Sequence, residues 1–250
     1  MHFRFTTLVE KIVSLLFFCI LLTACASQST EYHKLITKNA NKPVAAPLAS
    51  QRSSSLNHID DEISYFMEIV LGSEYGMGAF TVKKWRTNIR VEVSGHPTLQ
   101  DLSALKRVIQ DLNEIIQPEI QITLTRGKGN VKLMFIPHKE FYQYEPPGII
   151  FYGGFFRTWW HPNGEIYKGC VVIGSDHLDQ KHRSHLIREE LTQTLGLMND
   201  SMKFEDSIFF QGNSDVASYS SIDKRVIKRL YSSEIHAGMS TYQIRDMLNK

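Results

Sequence analysis

From residue 182 the chain reads His-Arg-Ser-His-Leu-Ile-Arg-Glu-Glu-Leu-Thr-Gln-Thr-Leu-Gly-Leu-Met-Asn, ending at Asn199. Its apolar residues recur at helical spacing, which predicts a helix over 182–197 that ends at Gly196 or shortly after it. One stripe of this helix is apolar and faces a core; its members are Ile187, Leu191, Thr194 and Leu195. A second stripe places Glu189 and Gln193 one turn apart, which is the spacing that a metal-binding helix uses.

The segments before this helix alternate between helical and extended periods. Helices are predicted from near residue 57 to residue 72 and over 99–116. Strands are predicted over 89–93, 120–124, 131–136, 149–159 and 166–173. This order favours a single α+β domain over residues 57–250, with a mixed twisted sheet, an N-terminal helix, a backing helix and a central helix.

The central helix carries a resemblance to a peptidase motif. The segment Glu189-Glu190-Leu-Thr-Gln193-Thr-Leu-Gly196-Leu-Met-Asn199 is similar to the metzincin pattern H-E-x-x-H-x-x-G-x-x-H. Glu190 and Gly196 match the pattern, but Glu189, Gln193 and Asn199 stand at its three histidine positions.

Further segments extend this resemblance. Phe209 stands where metzincins place the methionine of their Met-turn, and residues 220–231 look like their closing helix. From residue 62 to residue 231 the chain resembles a family of proteobacterial lipoproteins, a domain of unknown function grouped with the zincin-like peptidases. The resemblance implies a zincin-like, metzincin-like fold for the domain.

The resemblance also implies roles for these residues. Glu189, Gln193 and Asn199 would be the metal ligands, and Glu190 would be the general base that takes a proton from a metal-bound water. Carboxamide oxygens are weak, uncharged donors, so this set would bind zinc far more weakly than three histidines. Zinc is therefore disfavoured, and we expect an inactive homologue that retains its cleft for binding.

Other residues offer alternative sites. His182, His185 and Glu189 form a shifted ligand set, although histidines near a helix start more often lie on the surface. Cys170 lies in a strand pattern, where a buried structural cysteine is the simpler interpretation. Tyrosine, phenylalanine and tryptophan crowd residues 141–160 and form either a binding groove or a sheet core.

The N-terminus predicts export and lipidation. A basic start, an apolar run over 12–22 and the sequence Leu22-Thr23-Ala24-Cys25 match a bacterial lipoprotein signal. We therefore expect residues 1–24 to be removed, Cys25 to carry lipid, and residues 25–56 to form a flexible tether. Ala26 after the cysteine resembles lipoproteins sorted to the outer membrane, so the expected location is its periplasmic face.

Composition narrows the classes of partner. The 250 residues carry 28 Lys and Arg against 26 Asp and Glu, and no run of basic residues indicates a nucleic-acid partner. The expected partners are the membrane, through the lipid, and a peptide or another envelope protein. Two further functions fit the same residues: a metal-dependent peptidase with Glu190 as base, and an envelope scaffold that docks a partner through Trp159 and Trp160.

Overall fold

The structure is a computed structural model that describes residues 61–72, 81–144, 153–212 and 214–248. The predicted signal, the lipidation site Cys25 and the tether lie outside the described residues. So do the start of the first predicted helix and the first part of the strand predicted over 149–159.

Five α-helices and six strands form the described part of the chain. Residues 61–71 form helix α1. The later helices are α2 (Leu99–Ile116), α3 (Gln180–Gln193), α4 (Ser221–Leu230) and α5 (Thr241–Leu248), with a 3-10 helix at His138–Gln143. The strands are β1 (Lys84–Trp85), β2 (Ile89–Gly95), β3 (Ile122–Thr125), β4 (Val131–Ile136), β5 (Gly154–Trp160) and β6 (Glu165–Gly174).

All six strands belong to one mixed sheet. Strands β6, β4, β2 and β3 lie side by side in parallel, and β1 pairs in parallel with the start of β6. Strand β5 is antiparallel to β6 and, among the described residues, pairs with that strand alone. The α+β class with a mixed sheet, predicted from the sequence, is confirmed.

Helices α2 and α3 cover one face of the sheet. Apolar side chains alternate along β2, β4 and β6, because successive residues of a strand point to opposite faces. Those facing the helices are buried together with the apolar stripes of α2 and α3. This core includes Val91, Leu133, Val171, Leu105, Leu112, Ile187 and Leu191.

The opposite face of the sheet is only partly covered in the part of the chain that the structure describes. The 3-10 helix packs Phe141 onto a small second cluster there, with ring centroids of Phe141 and Phe155 5.6 Å apart. The other members of this cluster are Met134, Ile136 and Val172. The part of this face away from the 3-10 helix carries polar side chains.

Several element bounds agree with the sequence predictions and others differ. Helix α2 and strand β4 have the predicted bounds. Helix α3 ends at Gln193, earlier than predicted, because the indole of Trp85 and the hydroxyl of Tyr231 donate to the carbonyls of Thr194 and Leu195. These contacts come from distant parts of the chain and hold residues 194–196 in a turn.

Candidate functional site

Helix α3 is anchored by polar contacts along its length. The Asp179 carboxylate caps its start by accepting from the backbone N–H of His182. Arg183 forms a buried ion pair with Asp101 of α2, and one turn further on Arg188 donates to Asp111 at 2.8 Å. These pairs fix α3 against α2.

Two of the three charged residues at 188–190 are buried, and Glu189 between them is partly exposed. Arg188 and Glu190 are 5% and 7% exposed. Arg188 and Glu190 therefore do not belong to a solvent-facing surface. Burial of these groups requires partners, because an unpaired buried charge is costly.

Glu190 lies beneath the start of the antiparallel strand. A Cβ added at Gly154 would lie 3.3 Å from Glu190 Oε1, and residue 154 is the first residue of β5. The absence of a side chain at residue 154 leaves room for the carboxylate. The predicted general base is therefore placed between α3 and β5.

Glu189 forms an ion pair within its own helix. Its Oε2 lies 3.2 Å from Nε2 of His185, one turn earlier, and Nδ1 of His185 lies 3.1 Å from the carbonyl oxygen of Val216. Burial lowers the pKa of His185, but the hydrogen bond and negative charge of Glu189 outweigh it, so the net shift is upward. The pair links α3 to the segment that precedes α4.

Gln193 and Asn199 are also tied to the protein. The Gln193 amide donates to Oδ1 of Asp200 at 2.8 Å, and the Asn199 amide donates to the Asp200 carbonyl at 2.7 Å. Gln193 is almost fully buried, and Asn199 packs against Gly72 at the end of α1. Asp200 therefore holds two of the three predicted ligand positions.

Gly196 turns the chain toward Asp200. Its φ of +110° lies in the region that favours glycine, and a Cβ there would overlap the carbonyl oxygen of Lys83. The chain reverses at this point and brings residues 199 and 200 back beside Gln193. The glycine of the resembled motif thus has a clear conformational role in this protein.

Phe209, at the Met-turn position, lies fully buried in a turn held by Asp223. The Asp223 carboxylate accepts from the Ser207 hydroxyl at 2.6 Å and from the backbone N–H of Ile208. The hydroxyl of Tyr65 in α1 lies 2.7 Å from the same Ser207 hydroxyl. Burial raises the pKa of Asp223, although these hydrogen bonds oppose the shift.

In the shifted ligand set, His185 pairs with Glu189, whereas His182 pairs with Asp215 outside the set. The rings of His182 and His185 are 6.1 Å apart between centroids, and Nδ1 of His182 lies 3.1 Å from Asp215. The hydrogen bond from His182, together with that from Lys181, lowers the pKa of Asp215. Within the described ranges, no group of three His, Cys, Asp or Glu side chains is arranged to hold a metal ion.

The donor set of the resembled motif does not fit zinc. Two of its three positions are amides that donate to Asp200, and the third is a carboxylate paired with a histidine. Zinc is bound by histidine, cysteine and carboxylate side chains, for which neutral amides are poor substitutes. No chemistry through a metal follows from this arrangement.

A cavity of about 360 Å³ lies beside this region. The cavity opens between the start of β5, the end of β6 and the start of α3. His182 is the lining residue that α3 contributes. Glycine backbone, three imidazoles and a leucine side chain form most of its lining, and the one carboxylate, that of Asp176, accepts from the backbone N–H of His138. The cavity therefore suits an apolar or aromatic group. Its lining residues are His138, Gly153, Gly174, Asp176, His177, Leu178 and His182.

The aromatic segment and the cysteine contribute differently. Phe141 and Phe155 belong to the small core cluster, whereas Trp160 is 42% exposed. Cys170 is half-buried in β6, and burial raises the pKa of its thiol above the usual range. A raised thiol pKa disfavours the thiolate, so Cys170 has little nucleophilic character.

Sequence reasoning missed three acidic residues that organise the site. Asp200 holds Gln193 and Asn199, Asp223 holds the turn at Phe209, and Asp215 holds His182. Asp223 had one local signal, since Ser220 and Asp223 form a capping box at the start of α4. Asp200 and Asp215 had no local sequence signal, because the turns around them determine which residues they contact.

The sequence matches the family described as "Protein of unknown function (DUF2927)" over residues 60–250. The chain therefore belongs to this family, which confirms the resemblance predicted from the sequence. Among curated proteins, no sequence gives a significant match.

The chain is also similar to three solved structures. Two are structures of myroilysin, with TM-scores of 0.38 and 0.39 and identities of 13% and 14%; they cover 60% and 76% of this chain and 83% and 98% of their own. The third is high choriolytic enzyme 1, a hatching enzyme zinc-protease from Oryzias latipes (medaka fish), with a TM-score of 0.30 and 10% identity over 66% of this chain and 94% of its own. Scores below 0.5 mark a partial likeness, so no property of these proteins passes to this chain by that route.

Proposed function

We propose that this protein is a lipid-anchored envelope protein that binds an extended polypeptide along β5 without cleaving it. The observation that carries the proposal is the cavity of about 360 Å³ at the start of β5, which is an edge strand among the residues that the structure describes. An edge strand offers unpaired backbone groups to an added strand, and a neighbouring pocket for a side chain supplies specificity.

The chemistry of the site supports binding rather than hydrolysis. Glu189, Gln193 and Asn199 take protein partners in place of a metal. Glu190, the candidate base, is buried against the start of β5. At this position the Glu190 carboxylate shapes the wall between α3 and a bound strand.

The cavity indicates the kind of side chain that would be bound. Leu178 and the backbone of Gly153 and Gly174 offer an apolar surface, and the imidazoles of His138 and His182 add flat rings. An aromatic or large aliphatic side chain in an otherwise extended peptide matches this lining.

The membrane part of the proposal rests on the N-terminal sequence. Leu22-Thr23-Ala24-Cys25 resembles a lipoprotein signal, and acyl chains on Cys25 would hold the protein at the periplasmic face of the outer membrane. In the ranges that the structure covers, no helix is long and apolar enough to cross a bilayer. For a protein anchored by lipid at that face, the accessible ligand is an envelope peptide or the exposed segment of an envelope protein.

A peptide library tests the proposal on the purified full chain. We expect labelled peptides with an aromatic residue to bind and to remain intact, with and without added zinc, when monitored by anisotropy and mass spectrometry. Leu178→Trp fills the cavity and should weaken binding at least about tenfold, since a blocked pocket loses its anchor. The matched variant Leu99→Trp lies at a position that is 85% exposed and should leave binding unchanged.

Two results would overturn the proposal. One is binding that Leu178→Trp leaves unaltered, which would separate the ligand from the cavity. The other is stoichiometric zinc with peptide cleavage that Glu190→Gln abolishes, which would establish a metallopeptidase with unusual ligands.

A further inference from the structure

The face of the sheet that points away from α2 and α3 brings together cations from four strands. The strand register places Lys132 of β4 beside Cys170 of β6, and Cys170 beside Arg157 of β5. Arg90 lies on β2, and Lys168 on β6 is two residues before Cys170 and therefore points to the same side. We call these four cations, Arg90, Lys132, Arg157 and Lys168, the basic face.

All four cations of the basic face are exposed. Glu92, beside Lys132, is the one carboxylate in these cross-strand rows of the described chain, and it accepts a hydrogen bond from the backbone N–H of Gly129. The positive charges of Arg157, Lys168 and Lys132 all act on the thiol of Cys170 and oppose the effect of its burial. Lys132, Arg157 and Lys168 therefore lie close enough together to act jointly on one point of the face, and Arg90 lies on β2, the neighbour of β4.

Trp159 lies within this face. The ammonium of Lys168 lies 4.4 Å from the centroid of its ring, and the guanidinium of Arg157 lies 5.3 Å from it. A tryptophan flanked by basic side chains is the combination found where proteins contact the headgroup region of a bilayer. The ring enters the interface while the long cationic side chains reach the phosphates.

The exposure of this face is unusual for a parallel sheet. Parallel strands are generally covered on both faces, and their side chains are then apolar on both. Here the 3-10 helix covers the upper part around Phe141 and Phe155. Within the described residues, the part of the face away from this helix presents charge instead, which favours contact with a polar, negatively charged surface.

We propose that the basic face docks the domain onto an anionic phospholipid surface. The proposal uses the lipid anchor of the proposed function but not its peptide site. A tether confines the domain near the bilayer and gives it a high effective concentration there, so a weak electrostatic contact is enough. Each basic residue near an anionic membrane contributes on the order of a fourfold to sixfold gain in binding.

Lysine acylation in nanodiscs tests the docking. The full lipidated chain is placed in discs of phosphatidylcholine alone or of an equal mixture with phosphatidylglycerol, and acylation rates are read by mass spectrometry. We expect Lys132 and Lys168 to react about tenfold more slowly in the anionic discs at low salt, and the protection to vanish near 1 M salt, where the Debye length is about 3 Å. Lys106 and Lys224, exposed on α2 and α4, serve as internal controls whose rates should not change.

A charge-reversal pair sharpens the test. Lys132→Glu, on β4 and therefore outside the peptide-binding strand β5, should release Lys168 from protection, whereas Arg107→Glu, an exposed position on α2, should not. Retained circular dichroism shows that both variants fold. Retained peptide binding shows that the peptide site does not depend on this face.

The outcomes separate the parts of the proposal. Equal acylation rates in neutral and anionic discs would overturn docking, whatever the peptide site does. Failure of the chain to co-elute with the discs would refute the lipid anchor. In that case the acylation rates of Lys132 and Lys168 are measured with excess anionic vesicles, which tests the basic face without the anchor. Protection by a soluble anionic polysaccharide, with none from anionic lipid, would assign the face to a glycan and overturn the proposal.

Discussion

Replacing Gly196 with alanine should destabilise the domain severely. The residue has a φ of +110°, and a Cβ there would overlap the carbonyl oxygen of Lys83. Leu230 Cδ2 lies 3.5 Å from the same position, so the surroundings close on it from a second side. Neither the backbone angle nor the neighbouring carbonyl can adjust without moving β1 or the end of α3.

The magnitude follows from two contributions. An L residue at a rarely populated positive φ costs about 1–3 kcal/mol. Displacing packed backbone to admit one more carbon costs about 1–3 kcal/mol more. We therefore expect the free energy of unfolding to fall by about 4 kcal/mol, a large share of the roughly 5–15 kcal/mol typical of a domain.

Urea unfolding measures this effect, with circular dichroism and tryptophan fluorescence as two probes. Trp85 reports directly, since its indole donates to the Thr194 carbonyl in the same turn. Gly127→Ala is the matched control, because its φ is not positive and its nearest neighbour is the Thr125 hydroxyl at 3.8 Å. The control should change stability by less than about 1 kcal/mol. Equal unfolding free energies for the two variants would refute the role assigned to Gly196.

Three further predictions concern buried titratable groups. Asp223→Ala should lower the free energy of unfolding by about 3 kcal/mol in urea, because it strands the buried hydroxyl and N–H groups that it accepts from. Glu189→Gln should lower the pKa of His185 in an NMR titration. The wild-type pair should stabilise the fold fully below pH 6.5 and lose that contribution as pH rises through the elevated folded pKa. Burial lowers the pKa of Lys84 to about 8, so the unfolded chain binds more protons above that pH; stability should rise from pH 8 to 10, and Lys84→Met should flatten the rise.

Substitutions of exposed residues provide the controls for these three predictions. Asp206→Ala should leave the unfolding free energy unchanged, and Glu114→Gln, at an exposed position on α2, should leave the pKa of His185 unchanged. Lys106→Met should keep the wild-type rise in stability with pH. A loss from Asp206→Ala as large as that from Asp223→Ala, or an unshifted His185, would contradict the corresponding contact.

Local pattern was sufficient for most of the secondary structure. Helix α2 has its predicted bounds because both its apolar period and its capping box, Thr98 with Asp101, lie within the segment itself. Strand β4 is a run of apolar residues interrupted only by Lys132, and its pattern is recognisable without a distant partner. The short elements β1 and α5 were missed, since two paired residues and a final eight-residue helix carry too little periodicity.

The sequence by itself determined which residue types occupy the framework of the candidate site, and hence that three histidines are missing. Only the tertiary structure decided what those residues do, because a partner such as Asp200 is chosen by the turn at Gly196. The basic face also depends on the tertiary structure, because no run of basic residues in the sequence predicts it. Its cations come from four strands, and strand register is what brings side chains far apart in the chain onto one surface.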